Sequence, residues 1–395
     1  PVSRPAIPPA NGGQIVSLDM VAPLEWVPTA PPWGAKEAAP GWRETVTHLA
    51  YTCLPGSRKN PGSITESQQE AAQMSILVTG GAGFIGSHLL DRLSAEHRRA
   101  VCLDNFCDYY SPALKRRNLS AALASGYVSL VEGDVCDAEL CHRLLREHSI
   151  DRVVHLAARA GVRPSISDPL LYERVNCMGT LNLLECARQA GVRLFLFGSS
   201  SSVYGVSSRV PFREDDPADL PISPYGASKR AGELYCHAYH HLYGMPVVAL
   251  RLFTVYGPRQ RPDLAIHAFT RLIEEGKPVQ VFGDGSSRRD YTYVSDVVDG
   301  ILAALQSKLE FEIINLGNSH PVELRTLIGL IEEATGKKAT LEHLPDQPGD
   351  VPLTYADISK ARRLLGYEPQ VPIERGIRAF VEWFRETHRA QGSAP

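Results

Sequence analysis

Tyr225 and Lys229 stand four residues apart in Tyr225-Gly226-Ala227-Ser228-Lys229, so a helix there sets a phenol and an ammonium one turn apart on one face. A tyrosine with an unperturbed pKa of about 10 is a poor base at neutral pH, but a neighbouring ammonium favours its phenolate. Such a pair can exchange a proton with a hydroxyl of a bound molecule. The same spacing also arises in ordinary surface helices, so its surroundings decide. Here a run of hydroxyls, Ser199-Ser200-Ser201-Ser202, follows an apolar stretch ending at Gly198. It falls at the carboxyl end of an expected strand, where open α/β sheets bind ligands.

A second group of residues points to a nucleotide. Gly80, Gly83 and Gly86 repeat as G-x-x-G-x-x-G directly after the apolar run 76–79, and Phe84 and Ile85 open the helical pattern that follows. Without β-carbons the backbone can turn tightly and approach a pyrophosphate, which then sits at the positive end of the helix. Asp104 closes the next expected strand, where an acid accepts both adenosine-ribose hydroxyls and repels a 2'-phosphate. The pattern therefore favours NAD over NADP, and a positively charged nicotinamide ring would further favour the Tyr225 phenolate.

Elements able to hold these residues are visible in the alternation of short apolar runs with longer helical patterns. Strands are expected at 76–79, 100–104, 128–132, 152–156 and 194–198, and helices at 85–96 and 111–124. Strands and helices in alternation imply βαβ units. The fold class is α/β, a Rossmann-type doubly wound parallel sheet over 74–257 with a smaller mixed α/β C-terminal lobe over 258–395, parts of which return to the first domain. Residues 1–73 hold 11 of the 29 prolines and three of the four tryptophans without sustained apolar periodicity, and are expected to be an extension outside the folded protein beginning near Met74.

Composition narrows the class further. Lys and Arg number 41 against 44 Asp and Glu, a net charge of -3, which provides no broad basic surface for nucleic acid or anionic lipid. No apolar run approaches the ~20 residues needed to span a bilayer. The eight cysteines include no C-x-x-C pair, so neither a zinc site nor a disulfide framework is expected. A cytoplasmic protein with reduced thiols fits.

Taken together, the motifs resemble those of extended short-chain dehydrogenases/reductases of the nucleotide-sugar epimerase and dehydratase group. The likeness runs from residue 74 to about 385 and rests on the glycine motif, Asp104-Asn105, Asp134-Val135, His155-Leu156-Ala157-Ala158, Ser200 to Gly205, Tyr225-x-x-x-Lys229 and Arg289-Asp290-Tyr291. It implies NAD as a bound cofactor, with Asn105, Asp134 and Val135 around the adenosine and Leu156, Ala157 and Ala158 beside the nicotinamide. Lys229 would hold the nicotinamide ribose, and Ser200 would complete a triad with Tyr225 and Lys229. His155 is expected to be packed at a strand end. A homodimer through the helices around 176–188 and 225–241 is also implied.

Substrate follows from departures within that group. Similar dehydratases carry an acidic pair where this chain has Ser201 and Ser202, and similar decarboxylases keep a glutamate at Ser202. The string from Arg251 through Thr254 to Arg261-Pro262-Asp263, with Ala160-Gly161-Val162-Arg163 and Gln347-Pro348-Gly349-Asp350-Val351, is similar to UDP-glucuronate 4-epimerases. On that likeness Ser201, Ser202 and Thr254 would hydrogen-bond a substrate carboxylate, and Arg289 would take the diphosphate. Backbone at Gln280 and Phe282 would read the uracil, and Gln347 and Asp350 would complete the UDP site. Gln347 stands where galactose enzymes place a second arginine. Arg261 would serve phosphate, ribose or carboxylate. The expected activity is reversible C4 epimerisation of UDP-glucuronate. The rivals are a neutral-sugar 4-epimerase, a UDP-glucuronate decarboxylase and a catalytically silent nucleotide-sugar-binding protein.

Overall fold

The apolar runs of the N-terminal half become β1 (Ser75–Thr79), β2 (Ala100–Asp104), β3 (Val128–Glu132), β4 (Ile150–His155) and β5 (Leu194–Ser200) in the computed structural model. The structure describes residues 75–206, 209–345 and 349–392, so the expectations for residues 1–73 and for Gln347 lie outside it. Helices α1 (Phe84–Ala95), α2 (Pro112–Ala124), α3 (Ala138–Glu147), α4 (Gly179–Gln189) and α5 (Pro224–Tyr243) alternate with these strands. Every residue of β1 and β2 is buried, which is why these strands read as continuous apolar runs and not as alternating ones.

Beyond β6 (Val247–Leu252) come β7 (Thr254–Tyr256), β8 (Val279–Phe282), β9 (Arg288–Tyr293), β10 (Phe311–Leu316), β11 (Pro321–Glu323) and β12 (Leu341–Leu344). Interspersed are α6 (Ala265–Glu274), α7 (Val294–Gln306), α8 (Leu324–Thr335) and α9 (Ile373–Gly392). The seven-stranded sheet has the order β3-β2-β1-β4-β5-β6-β10 and is parallel throughout. Its order reverses between β1 and β4, and a crevice opens at the carboxyl ends of strands at such a reversal. Strand β10, from far along the chain, joins the free edge of β6. The remaining strands form a β11-β9-β7 sheet and a β12-β8 pair, packed with α6, α8 and α9 around Tyr256, Ile266, Ile331 and Phe380.

Two buried carboxylates fix the parts that matter for a site. Asp290, fully buried on β9, accepts the amides of Asn318 at 2.7 Å and of Ser319 and Ala356 at 3.0 Å, anchoring the strand that carries Arg289. Glu233, 1% exposed on α5, accepts Nε and Nη2 of the equally buried Arg251 of β6 at 2.8 and 2.9 Å. It also accepts Ser199 Oγ of β5 at 2.6 Å and Arg230 at 3.0 Å. Helix α5 begins with Pro224, is capped by Ser223 accepting the Gly226 amide, and ends at Gly244 in a left-handed conformation. Its ends are thus set locally, and its seat on the sheet is set by Glu233.

Removing one member of a buried ion pair leaves the other charge without compensation, at a cost of about 3–5 kcal/mol. Arg251→Met should lower unfolding stability by that order in urea titration. Adding Glu233→Met should restore part of the loss, because the orphaned carboxylate is then gone.

Candidate active site

At the carboxyl ends of β1, β2, β4 and β5 the chain encloses a cleft of about 660 Å³. Its floor is the glycine loop. Gly80 has φ +68°, and a β-carbon there would lie 2.8 Å from the Ala157 amide nitrogen; one at Gly86 would lie 2.4 Å from the Gly80 carbonyl oxygen. No side chain caps α1 at Gly83, and Gly83, Phe84, Ile85 and Gly86 line the cleft, so the positive end of the helix is presented to whatever binds there. Asp104 is held rigidly: its carboxylate accepts the amides of Ala82 at 3.1 Å and Phe106 at 2.9 Å. Burial pushes its pKa up, opposed by the Phe106 amide and the Lys115 ammonium. Asn105 donates to Asp134 at 2.9 Å, and Asp134 also accepts the Cys136 amide at 2.8 Å. Burial works against the Asp134 carboxylate, but these bonds outweigh it and hold its pKa below the ordinary value. With Val135, Leu156, Ala157 and Ala158 also in the wall, the residues that the sequence assigned to a dinucleotide line one continuous cleft. The cradle, the uncapped helix end and the acid at the tip of β2 fit NAD.

Tyr225, Ser200 and Lys229 line the same cleft. Burial raises the Tyr225 pKa, while a hydrogen bond with Ser200 and the Arg261 guanidinium pull it down. Lys229 lines the cleft with its ammonium turned toward the sheet. Its Nζ donates to the Gly198 carbonyl at 2.7 Å beneath β5 and lies 5.1 Å from the Phe197 ring centroid. Burial lowers its pKa to about 8. The four-residue spacing sets the two side chains on one helix face, but the length of the lysine carries its charge toward the strand, and Arg261, from a distant loop, supplies the positive field at the phenol. Ser200 Oγ lies 3.2 Å from both the amide and the hydroxyl of Ser202, which opens a 3-10 turn with Ser201. His155, 1% exposed, is wedged between Thr79 and Thr180 at 2.7 and 3.0 Å, and burial drives its pKa down to about 3. It is packed, neutral, and not in the cleft wall.

On the other side the wall is formed by Ser201, Ser202, Thr254, Arg261, Arg289 and Asp350. Arg261 is gripped by both oxygens of Asp263, at 3.0 and 2.8 Å. Arg289 donates to the Arg288 carbonyl at 3.0 Å, and burial lowers its pKa. Asp350 meets Arg163 at 2.6 Å, and the Arg163 guanidinium lies 4.4 Å from the Phe282 ring centroid. Gln280 and Phe282 are outside the cleft lining, and the Gln280 side chain reaches Glu342 at 3.4 Å. Strand β8 pairs only with β12 among the described strands: the amides of Val279 and Gly283 bond to Thr340 and Leu344. The alternate amides, at Gln280 and Phe282, therefore face the open edge.

Two cleft residues, Tyr109 and Arg159, and the buried Tyr172 behind the wall escaped the sequence. Tyr109 follows β2 and donates to Asp263 at 3.3 Å, linking the loop after Asp104 to the one carrying Arg261. Arg159 and Arg261 lie 5.2 and 5.4 Å from the Tyr109 ring centroid. Tyr172 meets the Tyr225 ring edge-on, with centroids 6.2 Å apart. Only adjacency to known motifs could have signalled them, since each meets its partner through tertiary contact. Asn176, which clamps the Arg159 backbone at both its amide (2.8 Å) and its carbonyl (3.0 Å), lies in a π-helical turn, Glu173–Met178, a geometry frequent at functional sites. Among the described residues no helix is long and apolar enough to cross a membrane, and no group of three or more His, Cys, Asp or Glu could hold a metal ion.

Residues 76–317 match the model of the NAD dependent epimerase/dehydratase family. The chain is 42% identical over 311 residues to a UDP-glucuronate 4-epimerase of Thermodesulfobacterium geofontis, covering 78% of this chain and 96% of that protein. It resembles the crystal structure of UDP-glucuronic acid 4-epimerase from Bacillus cereus in complex with UDP-glucuronic acid and NAD, with TM-score 0.76 and 39% identity, over 80% of this chain and all of that one. It also resembles a UDP-glucose 4-epimerase of Thermotoga maritima with UDP-glucose, with TM-score 0.74 and 36% identity over 80% of this chain and 100% of that one.

The buried histidine behind the cleft has a measurable consequence. With a folded pKa of about 3 against an ordinary 6.5, His155 takes up a proton in the unfolded chain first. Its contribution to stability is complete above pH 6.5 and is lost as pH falls toward 3, about 2 kcal/mol of it by pH 5. His155→Gln should flatten the acid limb of stability measured by urea unfolding between pH 7 and pH 5, whatever its effect at pH 7.

Proposed function

The chain belongs to the NAD-dependent epimerase/dehydratase family, and from that premise we propose that it catalyses reversible C4 epimerisation of UDP-glucuronate and UDP-galacturonate through a 4-keto sugar. The observation that carries this reading is the wall beside Tyr225. It combines Ser201, Ser202 and Thr254 with the Arg261 cation, and at Ser201 and Ser202 it has hydroxyls where dehydration would need acids. Likeness to the bacterial UDP-glucuronate enzymes supports it. UDP-glucose epimerisation is the second reading, supported by likeness to the Thermotoga maritima enzyme.

In this reading NAD, when bound, would supply a reversible hydride acceptor for C4. The residues that would hold it are Gly80, Gly83 and Gly86 with the α1 amides at the diphosphate, Asp104 at the adenosine ribose, and Lys229 at the nicotinamide ribose. Tyr225 removes the O4 proton and later gives it back, and Ser200 orients O4 through the same hydroxyl network. Arg261 lowers the energy of the phenolate, offsetting the burial that raises the Tyr225 pKa. Arg289 takes the UDP diphosphate, the open edge of β8 at Gln280 and Phe282 the uracil, and Asp350, with Gln347, completes the nucleotide site. Asp350 must share its carboxylate with Arg163. The described cysteines are all free, which supports a reducing, cytoplasmic setting.

A homodimer belongs to the same proposal. Leu234 and Leu242 on α5 are 55% and 66% exposed, as is Met178 at 60% beside α4, and a second copy would cover them. Light scattering should return about twice the 43.3 kDa of one chain; the mass of a single chain would remove this part.

Oxidised at C4, a glucuronate becomes a β-keto acid, which loses CO₂ when the bond from C5 to the carboxylate lies parallel to the carbonyl π system. Hydroxyls can hold the carboxylate out of that alignment and exchange partners while the ring turns. The protein should convert UDP-glucuronate to UDP-galacturonate with little 4-keto-pentose, and Ser202→Ala or Thr254→Ala should raise the share of pentose and CO₂. Tyr225→Phe should cut kcat by roughly 10²- to 10⁴-fold with little change in binding. Chromatography of products separates these outcomes. Activity on UDP-glucose alone would transfer the assignment to the second reading.

A further inference from the structure

The cations lining the cleft differ in what occupies them. Lys115 donates to the Cys107 carbonyl, Lys229 to that of Gly198 and Arg289 to that of Arg288, while Arg261 is gripped by Asp263. Arg174 acts on the Asp134 carboxylate at the adenosine end. Arg159 and Arg174 are the two of these six whose guanidinium has, among the described residues, neither a carboxylate nor a carbonyl within hydrogen-bond distance; Arg174 faces the Asp134 charge, while Arg159 rests on the Tyr109 ring. Its backbone is nonetheless fixed at both polar groups by Asn176, so its side chain starts from a rigid point. A half-buried guanidinium in a ligand cleft, held only by an aromatic face, calls for an anion from the ligand.

Three anions enter the cleft if the chain is a uronate epimerase, and two already have binders. The dinucleotide diphosphate has the uncapped N-terminus of α1, and the UDP diphosphate has Arg289. The third is the sugar carboxylate on C5, adjacent to the reacting C4. Arg159 lies on this side of the cleft: it acts on the Tyr172 hydroxyl, and the Tyr172 ring packs edge-on against Tyr225. We propose that Arg159 is a specificity-determining residue that binds the substrate carboxylate and thereby selects UDP-uronates over neutral UDP-hexoses. A guanidinium on an aromatic face has no directional protein bond to break, so it can follow the carboxylate as the sugar turns, while Ser201, Ser202 and Thr254 exchange hydrogen bonds with it. The inference rests on the uronate reading above.

Equilibrium titration of the NAD-loaded protein with UDP-glucuronate, UDP-glucose and UDP, and of NAD into the cofactor-free protein, tests it. Arg159→Met should weaken UDP-glucuronate by about 10- to 100-fold, the worth of a charge-assisted hydrogen bond, and leave UDP-glucose, UDP and NAD within about twofold. Arg159→Lys, which keeps the charge, should recover part of the loss. Equal weakening of all three uridine ligands would make Arg159 a diphosphate binder, weakening of NAD alone would make it a cofactor residue, and no change would leave it a solvated cation; each overturns the proposal. If the unaltered protein binds UDP-glucose well and UDP-glucuronate hardly at all, the uronate reading itself has failed. An intact preference for UDP-glucuronate that Arg159→Met does not diminish overturns only the role of Arg159.

Discussion

A single buried carboxylate, Glu233, is where the sheet, the long helix and the catalytic hydroxyls are joined. It takes two bonds from Arg251 on β6, one from Ser199 on β5, directly before Ser200, and one from Arg230 on its own helix. Lys229 lies one turn earlier on α5 and Tyr225 one turn before that. The relative position of Ser200 and Tyr225 is thus supported by one side chain behind them as well as by their own hydrogen bond. Arg251 extends the network: its guanidinium lies 4.6 Å from the Tyr204 ring centroid, Tyr204 donates to Asn315 at 2.8 Å, and Asn315 donates to the Phe212 carbonyl at 2.9 Å. Because Asn315 belongs to β10, the strand that returns from the second half of the chain is tied into the same group. Charges so deeply buried are tolerated only when every one has close partners, which makes the arrangement stiff.

Rigidity of that kind suits proton transfer, where a misplacement of about 1 Å has large kinetic consequences. The cleft in front of Glu233 is built differently. Its lining groups are joined by loops and contributed by both halves of the chain: Asp104 ends β2 and Tyr109 follows it, Arg159 follows β4, and Arg261 follows β7. The Tyr109–Asp263 hydrogen bond crosses between the loop on the cofactor side and the loop on the sugar side. The frame is thus held by buried ionic bonds, and the ligand-facing surface by weaker contacts that a binding molecule can rearrange.

Electrostatics divides the cleft in the same way. Burial disfavours charge on Tyr225, Lys229 and Asp104 alike. Each is compensated locally by hydrogen bonds or by an opposite or helpful charge, and the compensation at Tyr225 comes from Ser200 and Arg261. A phenol whose burial opposes ionisation, facing a guanidinium that favours it, is poised to change protonation when a ligand alters either term.

How much of this could be read from residues alone depends on the range of the interaction. The glycine loop, the strand that precedes it, the acid at the tip of β2 and the Tyr225–Lys229 spacing are local, governed by backbone sterics and helical period, and they stand in the sequence as they stand in the fold. The strand boundaries came within two residues for the same reason, since buried parallel strands are short apolar runs. Lys229 pointing to the Gly198 carbonyl, Arg261 acting at Tyr225, Glu233 gripping Arg251, and Arg159 lying on Tyr109 were not legible, because each joins residues 18 to 50 positions apart whose approach is set by tertiary packing. Sequence determined which chemical groups the protein has and the local geometry of each motif. Tertiary structure alone decided which charges meet, because a charge interacts across space and the chain order does not record distance.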